Sequence, residues 1–294
     1  MTSRRHLTSS RVAGDGSQPI VSLRSASFGY ADRPVVAGAT LDIHAGEIVA
    51  ILGPNGSGKS TLVKGLLGLN NHLAGEVSLF GTPIDGFRDH ARLGYVPQRH
   101  TLSASVRATA TEIVAVGRLP HQGLLGRTSH EDRRIIEDSL ALVGLADRAT
   151  VDVSTLSGGQ QRRVLIDRAL AAQPDVLIMD EPTAGVDRAS QEVLGQVLAR
   201  LAGRGATMLI VTHELQALDG VLTRIVQLDG GRVTFDGTPA DYNRSHHAQT
   251  GGHDGHHHDD EAPLASPAAG PLDHISHLPA DRLHVHRRAG DRRA

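Results

Sequence analysis

A glycine-rich stretch, "GPNGSGKST" from Gly53 to Thr61, constrains the fold more than any other part of this chain. It fits the pattern G-x-x-x-x-G-K-[ST], follows the apolar run "IVAIL" and precedes the helical pattern "LVKGLLGL". This order of strand, loop and helix is typical of a phosphate-binding loop, because glycines let the backbone approach the phosphates and the helix N-terminus offers its amides. The alternative is a Gly/Ser-rich surface loop, which does not require the flanking strand and helix.

The residues of this loop have separate predicted tasks. Lys59 supplies a compact positive charge for the β- and γ-phosphates, and Ser60 supplies a hydroxyl for Mg²⁺. The lysine is notable because the chain has only two, Lys59 and Lys64, against twenty-eight arginines. A guanidinium is a bulkier fork than an ammonium group, so the loop favours lysine. The candidate nucleotide-binding residues of the loop are Gly53, Pro54, Asn55, Gly56, Ser57, Gly58, Lys59, Ser60 and Thr61.

A second apolar run, "DVLIMDEP" from Asp175 to Pro182, ends in two adjacent acids. Asp180, at the end of the predicted strand, can hold Mg²⁺, and Glu181 can polarise a water for attack on the γ-phosphate. Open α/β sheets bind ligands at the carboxyl ends of their strands, which is where this pair lies. Taken alone, the same residues would form an acidic turn that ends the strand. Together with the phosphate-binding loop, they favour the functional interpretation.

From Ile20 to about Asp241 the chain alternates short Val/Ile/Leu runs with helical patterns, which predicts a mainly parallel α/β sheet. The runs "EIVAILG", "DVLIMD" and "TMLIVTH" predict strands buried on both faces, and "RIVQLDGGRV" predicts a closing hairpin. Between about residues 99 and 172 helical patterns dominate, namely "TEIVAVGR", "EDRRIIEDSLALVGL" and "GGQQRRVLIDRALAAQ". We therefore expect a helical insertion between two parts of an α/β core.

Composition and charge argue against several classes of protein. The formal net charge of −2 gives no reason to expect nucleic acid as a partner. The sequence has no run of about 18 apolar residues, and its basic N-terminal segment lacks the apolar region of a secretory signal. The absence of cysteine excludes disulfides and thiol chemistry.

A third stretch, "LSGGQQRRV" from Leu156 to Val164, places a serine and two glycines at the predicted start of a helix. Ser157 can act as the N-cap, and the same helix N-terminus can bind an anion. With this motif the chain resembles the ATP-binding subunit of an ATP-binding-cassette (ABC) transporter over roughly Val21 to Tyr242. The resemblance implies an α/β fold: a P-loop NTPase core with a RecA-like, mainly parallel sheet, an antiparallel β part and an inserted helical subdomain. It also implies ATP hydrolysis with Mg²⁺ as cofactor.

The resemblance assigns further residues. Tyr30 in "FGY" matches the aromatic that stacks on adenine, and Gln98 in "YVPQR" matches the glutamine that senses Mg²⁺ and water. Asp187 ends the loop "AGVD", and His213 in "VTHE" matches the switch histidine that contacts the γ-phosphate. Without that context, Tyr30 and His213 would also fit as ordinary core residues. The candidate catalytic residues are Glu181, His213 and Gln98, and the candidate Mg²⁺ ligands are Ser60, Gln98 and Asp180.

The resemblance also implies that two such subunits meet head to tail. Each ATP then lies between the phosphate-binding loop of one subunit and the signature residues of the other. These signature residues are Ser157, Gly158, Gly159 and Gln160. The chain has one copy of each motif and no internal repeat, so we expect a homodimer. Asp167 departs from the family, which commonly has a small apolar residue there. It lies four residues after Arg163, so we expect a surface ion pair between the two.

The transported substrate is indicated only indirectly. "LGYVPQR" followed by "TEIVAVGR" is similar to importers of zinc and manganese, and of iron complexes. We therefore expect an ATPase subunit that energises import of a divalent metal, with zinc the first choice, through a separate integral membrane permease. A solute-binding protein would act indirectly, and the subunit would lie peripherally on the cytoplasmic face of the cell membrane. The alternatives are an importer of an iron chelate, haem or cobalamin, and a soluble ABC ATPase without a permease.

The last part of the chain is rich in histidine. Residues 245–294 hold ten of the eighteen histidines, and "GGHDGHHHDDE" supplies candidate zinc ligands at His253, His256, His257 and His258. Imidazole suits zinc, but irregular spacing without a scaffold predicts weak, exchangeable binding. The alternative is a plain solvated tail. We expect a disordered arm over residues 1–19, an ATPase domain over 20–243 and a disordered His-rich tail over 244–294.

Overall fold

The computed structural model describes residues 18–98, 107–122 and 128–250. Most of the N-terminal arm, and the tail beyond residue 250 with its four candidate zinc ligands, lie outside the described residues. Within them, no helix combines the length and the apolar character that crossing a membrane requires.

The described strands and helices alternate along the chain. The strands are β1 (Val21–Tyr30), β2 (Arg33–Ile43), β3 (Ile48–Leu52), β4 (Asn71–Leu79), β5 (Thr82–Pro83), β6 (Leu93–Val96), β7 (Val176–Asp180), β8 (Thr207–Val211), β9 (Arg224–Asp229) and β10 (Arg232–Gly237). The helices are α1 (Lys59–Leu66), α2 (Ala110–Ala115), α3 (His130–Leu142), α4 (Gly158–Ala171), α5 (Arg188–Gly203) and α6 (Pro239–Thr250).

The larger sheet has six strands in the order β10-β9-β3-β8-β7-β6. The five strands from β9 to β6 are parallel, and β10 closes the sheet as an antiparallel hairpin with β9. The predicted parallel sheet and closing hairpin are therefore confirmed. Because the carboxyl ends of parallel strands share one edge, the loop after β3 and the acids at the end of β7 lie on the same side of the sheet.

Strands β3, β7 and β8 are buried along their whole length, because both faces of the sheet are covered. On β7, Val176 and Ile178 pack with residues of β1, β2 and α1, whereas Leu177 and Met179 pack with residues of α4 and α5. The alternation of side chains along β7 thus assigns successive residues to two different core clusters, one on each face of the strand.

The smaller sheet is antiparallel, with the order β2-β1-β4-β5, and it is joined to the phosphate-binding loop. The Ala37 amide donates to the Gly231 carbonyl at 2.9 Å, and the Gly231 amide donates to the Ser57 carbonyl at 3.1 Å. Gly231 has φ +76°, and a Cβ there would lie 2.1 Å from the Val35 carbonyl oxygen. Only glycine therefore allows the β9–β10 turn to approach both β2 and the loop.

Helices α2, α3 and α4 form the helical insertion, as predicted. Each begins at a Ser or Thr N-cap with a reciprocal capping box, which satisfies two backbone amides at each start. Buried Arg118 joins all three helices from the turn that follows α2. Its guanidinium donates to Asp132 Oδ1 of α3 at 2.8 Å and to the Ala171 carbonyl of α4 at 2.8 Å.

The last helix runs further than the sequence indicates. We expected the ordered domain to end at residue 243, but α6 continues to Thr250. Thr238 starts the helix, since its hydroxyl accepts from the Asp241 amide at 3.2 Å and donates to the Asp241 carboxylate at 2.7 Å. After Pro239 no proline or glycine interrupts the chain before Gly251, so nothing in the sequence stops the helix earlier.

The expected ion pair between Arg163 and Asp167 does not form, so that prediction was wrong. Asp167 is fully buried, and Arg163 donates instead to the carbonyls of Val143 and Gly144 at 2.9 and 3.2 Å. Neither carboxylate oxygen of Asp167 has a hydrogen-bond partner among the described residues. Burial raises the pKa of Asp167 to about 7, and the nearby Ser139 hydroxyl opposes this only in part. Spacing four residues apart gives a surface pair only on an exposed helix face, and α4 is covered by neighbouring helices.

Candidate functional site

The loop between β3 and α1 has the geometry of an anion cradle. Gly53 has φ +147°, and a Cβ there would lie 2.1 Å from the Leu228 carbonyl oxygen. Gly58 is the N-cap of α1, with φ +101°, and no described side chain caps that helix. The amides of the first helical turn therefore remain available to an anion, as phosphate binding requires.

Lys59 is folded into this loop. The residue is 6% exposed, and its Nζ donates to the carbonyls of Gly53 and Pro54 at 2.7 and 3.0 Å. These two bonds hold the ammonium group within the arc of the loop. The positive charge is therefore placed where it would meet a phosphate that enters the arc.

The loop and the end of β7 meet through Ser60 and Asp180. The Ser60 hydroxyl donates to Asp180 Oδ1 at 3.2 Å. Burial raises the pKa of Asp180, while the Ser60 hydrogen bond and then the charges of Lys64, Arg162 and Lys59 oppose the rise. Both lysines of the chain therefore act on the same carboxylate.

The donor set at this point fits Mg²⁺ shared with a nucleotide. Ser60 and Asp180 offer two adjacent oxygen ligands, the type that Mg²⁺ prefers. Within residues 18–98, 107–122 and 128–250, no group of three or more His, Asp or Glu side chains could hold a metal by itself. Mg²⁺ commonly takes one or two carboxylates and completes its shell with substrate phosphates and waters. Gln98 is exposed directly after β6, at the same edge of the sheet.

Glu181 and His213 form a hydrogen-bonded pair. Glu181 is 5% exposed, and its Oε2 lies 2.6 Å from His213 Nδ1. His213 follows β8 and is about half exposed, which excludes the alternative of a buried core histidine. Because a carboxylate only accepts, Nδ1 carries the hydrogen of this bond when Glu181 is ionised. The histidine is thus placed to orient the carboxylate of Glu181.

The backbone of Glu181 is strained. Its φ is +50°, a left-handed conformation that a residue with a side chain adopts at a cost. The Glu181 amide donates to the Val211 carbonyl of β8 at 2.8 Å, and the Ala184 amide donates to the Glu181 carbonyl at 3.2 Å. The chain therefore leaves β7 in a sharp turn whose first residue is the candidate catalytic glutamate.

The signature residues 157–160 lie apart from this cluster. Ser157 is the N-cap of α4, as one of the two sequence interpretations proposed, and it forms a capping box with Gln160. A Cβ on Gly159 would lie 2.4 Å from Ser190 Cβ, so close packing against α5 requires this glycine. A Cβ on Gly158 would meet nothing within 4 Å in the described structure. No hydrogen bond or ion pair between described residues joins the signature residues to the phosphate-binding loop.

Two other candidates lie at the edges of the site. Tyr30 ends β1 and is 49% exposed, so it is not an ordinary core aromatic. Asp187 caps α5, with its carboxylate accepting from the Ser190 amide at 3.0 Å and the Ser190 hydroxyl at 2.7 Å.

A cavity of about 250 Å³ borders the phosphate-binding loop. Gly53, Pro54 and His213 line one part of it, and Tyr242 of α6 lines another. Tyr242 of α6 therefore shares this cavity with the loop and His213.

Arg162 also contacts the candidate site, although no sequence motif indicated that it would. It lies in α4 and is 8% exposed, and it donates to main-chain carbonyls at the end of β7 and after β6. The motif "LSGGQQRRV" assigns its serine and glycines but not this arginine, because the partners of Arg162 are backbone atoms far away in sequence.

The fold and this site define the class of protein. A parallel sheet, a glycine-rich loop leading into a helix, and acids at the end of a neighbouring strand are the features of a P-loop NTPase. The ABC transporter family model matches residues 36–184, and the chain belongs to this family. It is therefore an ATP-binding, ATP-hydrolysing subunit of a transporter, as the sequence resemblance predicts.

Individual relatives cover most of the chain. It is 37% identical over 218 residues to the manganese transport system ATP-binding protein MntB of Bacillus subtilis, which covers 74% of this chain and 86% of that protein. It is 33% identical to the zinc uptake system ATP-binding protein ZurA of Listeria innocua, covering 76% and 87% respectively. Among solved structures, cbiO1 from Clostridium perfringens, part of the ABC transporter complex cbiONQ, superposes with a TM-score of 0.68. Its sequence identity is 26%, covering 80% of this chain and 94% of that one.

Proposed function

We propose that this chain energises the import of a divalent metal, with zinc the first choice, through a separate integral membrane permease. The similarity to ATP-binding proteins of manganese transport and zinc uptake systems, over about three quarters of the chain, carries the proposal. The permease would span the membrane and the solute-binding protein would deliver the metal outside. This subunit would then lie on the cytoplasmic face.

The histidine content of the tail favours zinc over manganese. Imidazole is a common ligand of zinc, whereas manganese prefers carboxylate, carbonyl and water ligands. We propose that His253, His256, His257 and His258 bind zinc weakly and exchangeably. The tail would then capture metal near the permease without taking part in ATP hydrolysis.

For the reaction we propose distinct roles for the residues of the site. Lys59 and the free amides of α1 would bind the β- and γ-phosphates, and Tyr30 would stack on adenine. Glu181 would accept a proton from the attacking water, and His213 would orient its carboxylate through the 2.6 Å hydrogen bond. Ser60, Asp180 and Gln98 would hold Mg²⁺. Bound Mg²⁺ neutralises charge that develops on the phosphates.

A complete site would need a second copy of the chain. The open space at Gly158 and the absence of bonds from the signature residues to the loop within the described chain both support a partner-supplied contact. We propose a head-to-tail dimer in which the signature residues of one subunit close on the ATP held by the other. Hydrolysis would then loosen the dimer, since the γ-phosphate contacts are lost.

Metal accumulation in cells tests the transport proposal. A strain lacking the gene should take up less zinc and grow poorly under zinc chelation, and the wild-type gene should restore both. The Glu181→Gln variant should bind ATP but fail to restore uptake, because it lacks the proposed base. Unchanged zinc content with reduced manganese content would replace zinc with manganese as the cargo. Unchanged content of both metals would refute divalent metal import and favour an iron-chelate, haem or cobalamin importer, or a soluble ATPase.

A further inference from the structure

Arg162 of α4 makes an unusual set of contacts. Its Nε donates to the Pro182 carbonyl at 3.1 Å, and its Nη2 donates to the carbonyls of Asp180 and Glu181 at 2.9 and 3.1 Å. Its Nη1 donates to the Pro97 carbonyl at 2.6 Å. One guanidinium from the helical insertion therefore binds the backbone of two of the three segments that carry candidate catalytic residues, those of Glu181 and Gln98.

Burying the Arg162 guanidinium costs solvation free energy, so filling space in the core does not by itself explain this residue. Arg162 is buried, and no ion pair to a carboxylate accompanies its four hydrogen bonds among the described residues. Burial lowers its pKa, against the charges of Asp180, Tyr95 and Glu181. An apolar side chain would fill the same space without the loss of solvation. The planar guanidinium instead holds its N–H donors in fixed directions, which the ammonium group of lysine cannot reproduce.

The backbone that Arg162 holds is the strained one. Glu181 has φ +50°, and its carbonyl accepts from both Arg162 Nη2 and the Ala184 amide. A left-handed conformation at a residue with a side chain persists only where the surroundings fix it. The direction of the Glu181 carboxylate depends on this turn. Release of the guanidinium would let the turn relax and would move the carboxylate away from its position beside His213.

We propose that Arg162 is a positioning residue for ATP hydrolysis. It fixes the turn that aims Glu181, and it ties that turn to the segment carrying Gln98. Because Arg162 lies in α4 only two residues after the last signature residue, Gln160, a displacement of α4 when the partner subunit docks is transmitted to Glu181 and Gln98 together. The inference rests on the proposed role of Glu181 as the base.

The next residue of the same helix provides a matched control. Arg163 also donates to two main-chain carbonyls, those of Val143 and Gly144, but both lie within the helical insertion. The test compares Arg162→Met and Arg162→Lys with Arg163→Met and Arg163→Lys in the full chain. The measurements are kcat, KM for ATP, equilibrium ATP affinity and the melting temperature.

A positioning role predicts a loss of kcat with little change in ATP affinity or folding, whereas a structural role predicts that activity falls with the folded fraction. Arg162→Met should lower kcat about 100-fold, the effect of misplacing a reacting group by about 1 Å, while ATP affinity changes less than about threefold. Arg162→Lys should retain part of the activity, and it carries the test if Arg162→Met does not fold. Both Arg163 variants should keep kcat within about twofold. The proposal is overturned if the Arg162 and Arg163 variants lose activity equally, or if kcat falls only in proportion to the folded fraction.

Combining variants separates this inference from the assignment of the base. If Arg162 acts mainly through Glu181, adding Arg162→Met to Glu181→Gln should lower the residual rate by much less than 100-fold, since only its effect on the Gln98 segment remains. A further loss of about 100-fold would show that Arg162 acts independently of Glu181 and would refute the inference. A Glu181→Gln variant with wild-type kcat would instead refute the proposed base.

Discussion

The buried carboxyl group of Asp167 should make the protein less stable as pH rises. Its pKa is about 7 in the folded chain, against 3.8 for an ordinary aspartate. The folded state therefore binds this proton more tightly than the unfolded state does. Below pH 3.8 both states are protonated and there is no penalty. Between pH 3.8 and 7 the penalty grows with pH, and above pH 7 it is constant.

The size of the penalty depends on the difference between the two pKa values. At about 1.4 kcal/mol for each tenfold change in proton affinity, ionisation of Asp167 costs about 4 kcal/mol of unfolding free energy above pH 7. About half of this cost, roughly 2 kcal/mol, develops between pH 5.5 and 8. Such a cost is large compared with the total stability of about 5 to 15 kcal/mol that is usual for folded proteins.

The assay is urea-induced unfolding of the full chain without nucleotide, at pH 5.5 and 8. Asp167→Ala removes the carboxyl group, and Asp167→Asn keeps its shape without its charge. An exposed aspartate on α3, Asp138, supplies the control Asp138→Ala. Relative to wild type and to the control, Asp167→Ala should gain about 2 kcal/mol more at pH 8 than at pH 5.5.

Subtracting the stability change between the two pH values in wild type from the same change in the variant cancels the contributions of the other titrating groups, including the histidines. The same pH dependence in wild type and Asp167→Ala, within about 0.5 kcal/mol, would show that Asp167 does not titrate in the neutral range. A loss of stability in Asp167→Asn at both pH values, without a change in slope, would lead to the same conclusion.

Gly159→Ala should destabilise the subunit by about 1–3 kcal/mol in thermal unfolding, because its Cβ would lie 2.4 Å from Ser190 Cβ. Gly158→Ala should leave the melting temperature unchanged but weaken dimerisation with a non-hydrolysable ATP analogue, measured by light scattering; an unchanged dimer would contradict the head-to-tail proposal. Lys59→Ala should lower ATP affinity about 10- to 100-fold in equilibrium binding, since it removes charge-assisted hydrogen bonds to phosphate. Removal of residues 251–294, which spares α6, should keep kcat within about twofold and reduce the zinc bound at equilibrium dialysis; unchanged zinc binding would assign the tail no metal-binding role.

The phosphate-binding loop and the buried strands were predictable because their signals are local. "GPNGSGKST" specifies a turn through its glycines, and the helical pattern directly after it specifies a helix start. An apolar run such as "DVLIMD" has few other stable positions than a buried strand. Each pattern depends on residues that are neighbours in sequence. The order of the parallel strands was not predicted, because it depends on pairings between segments that are far apart in sequence.

The contacts that arrange the site were not predictable from local patterns. The hydrogen bond between Glu181 and His213 joins residues that follow two different strands, and Arg162 meets Pro97 only where the helical insertion packs on the sheet. For Asp167, the local pattern instead suggested a contact that does not form in the structure. Its spacing from Arg163 describes one helix, whereas its burial depends on the other helices that surround it.

The positions of the two lysines have a consequence for covalent labelling. The only side-chain amines of the chain belong to Lys59 and Lys64, and both act on the carboxylate of Asp180. An amine-reactive reagent therefore has only two side-chain amines as targets, both of which act on Asp180 of the candidate site, while the arginines do not react. Protection of Lys59 by ATP would report nucleotide occupancy directly by mass spectrometry. The scarcity of lysine thus makes amine labelling a probe of the candidate nucleotide site.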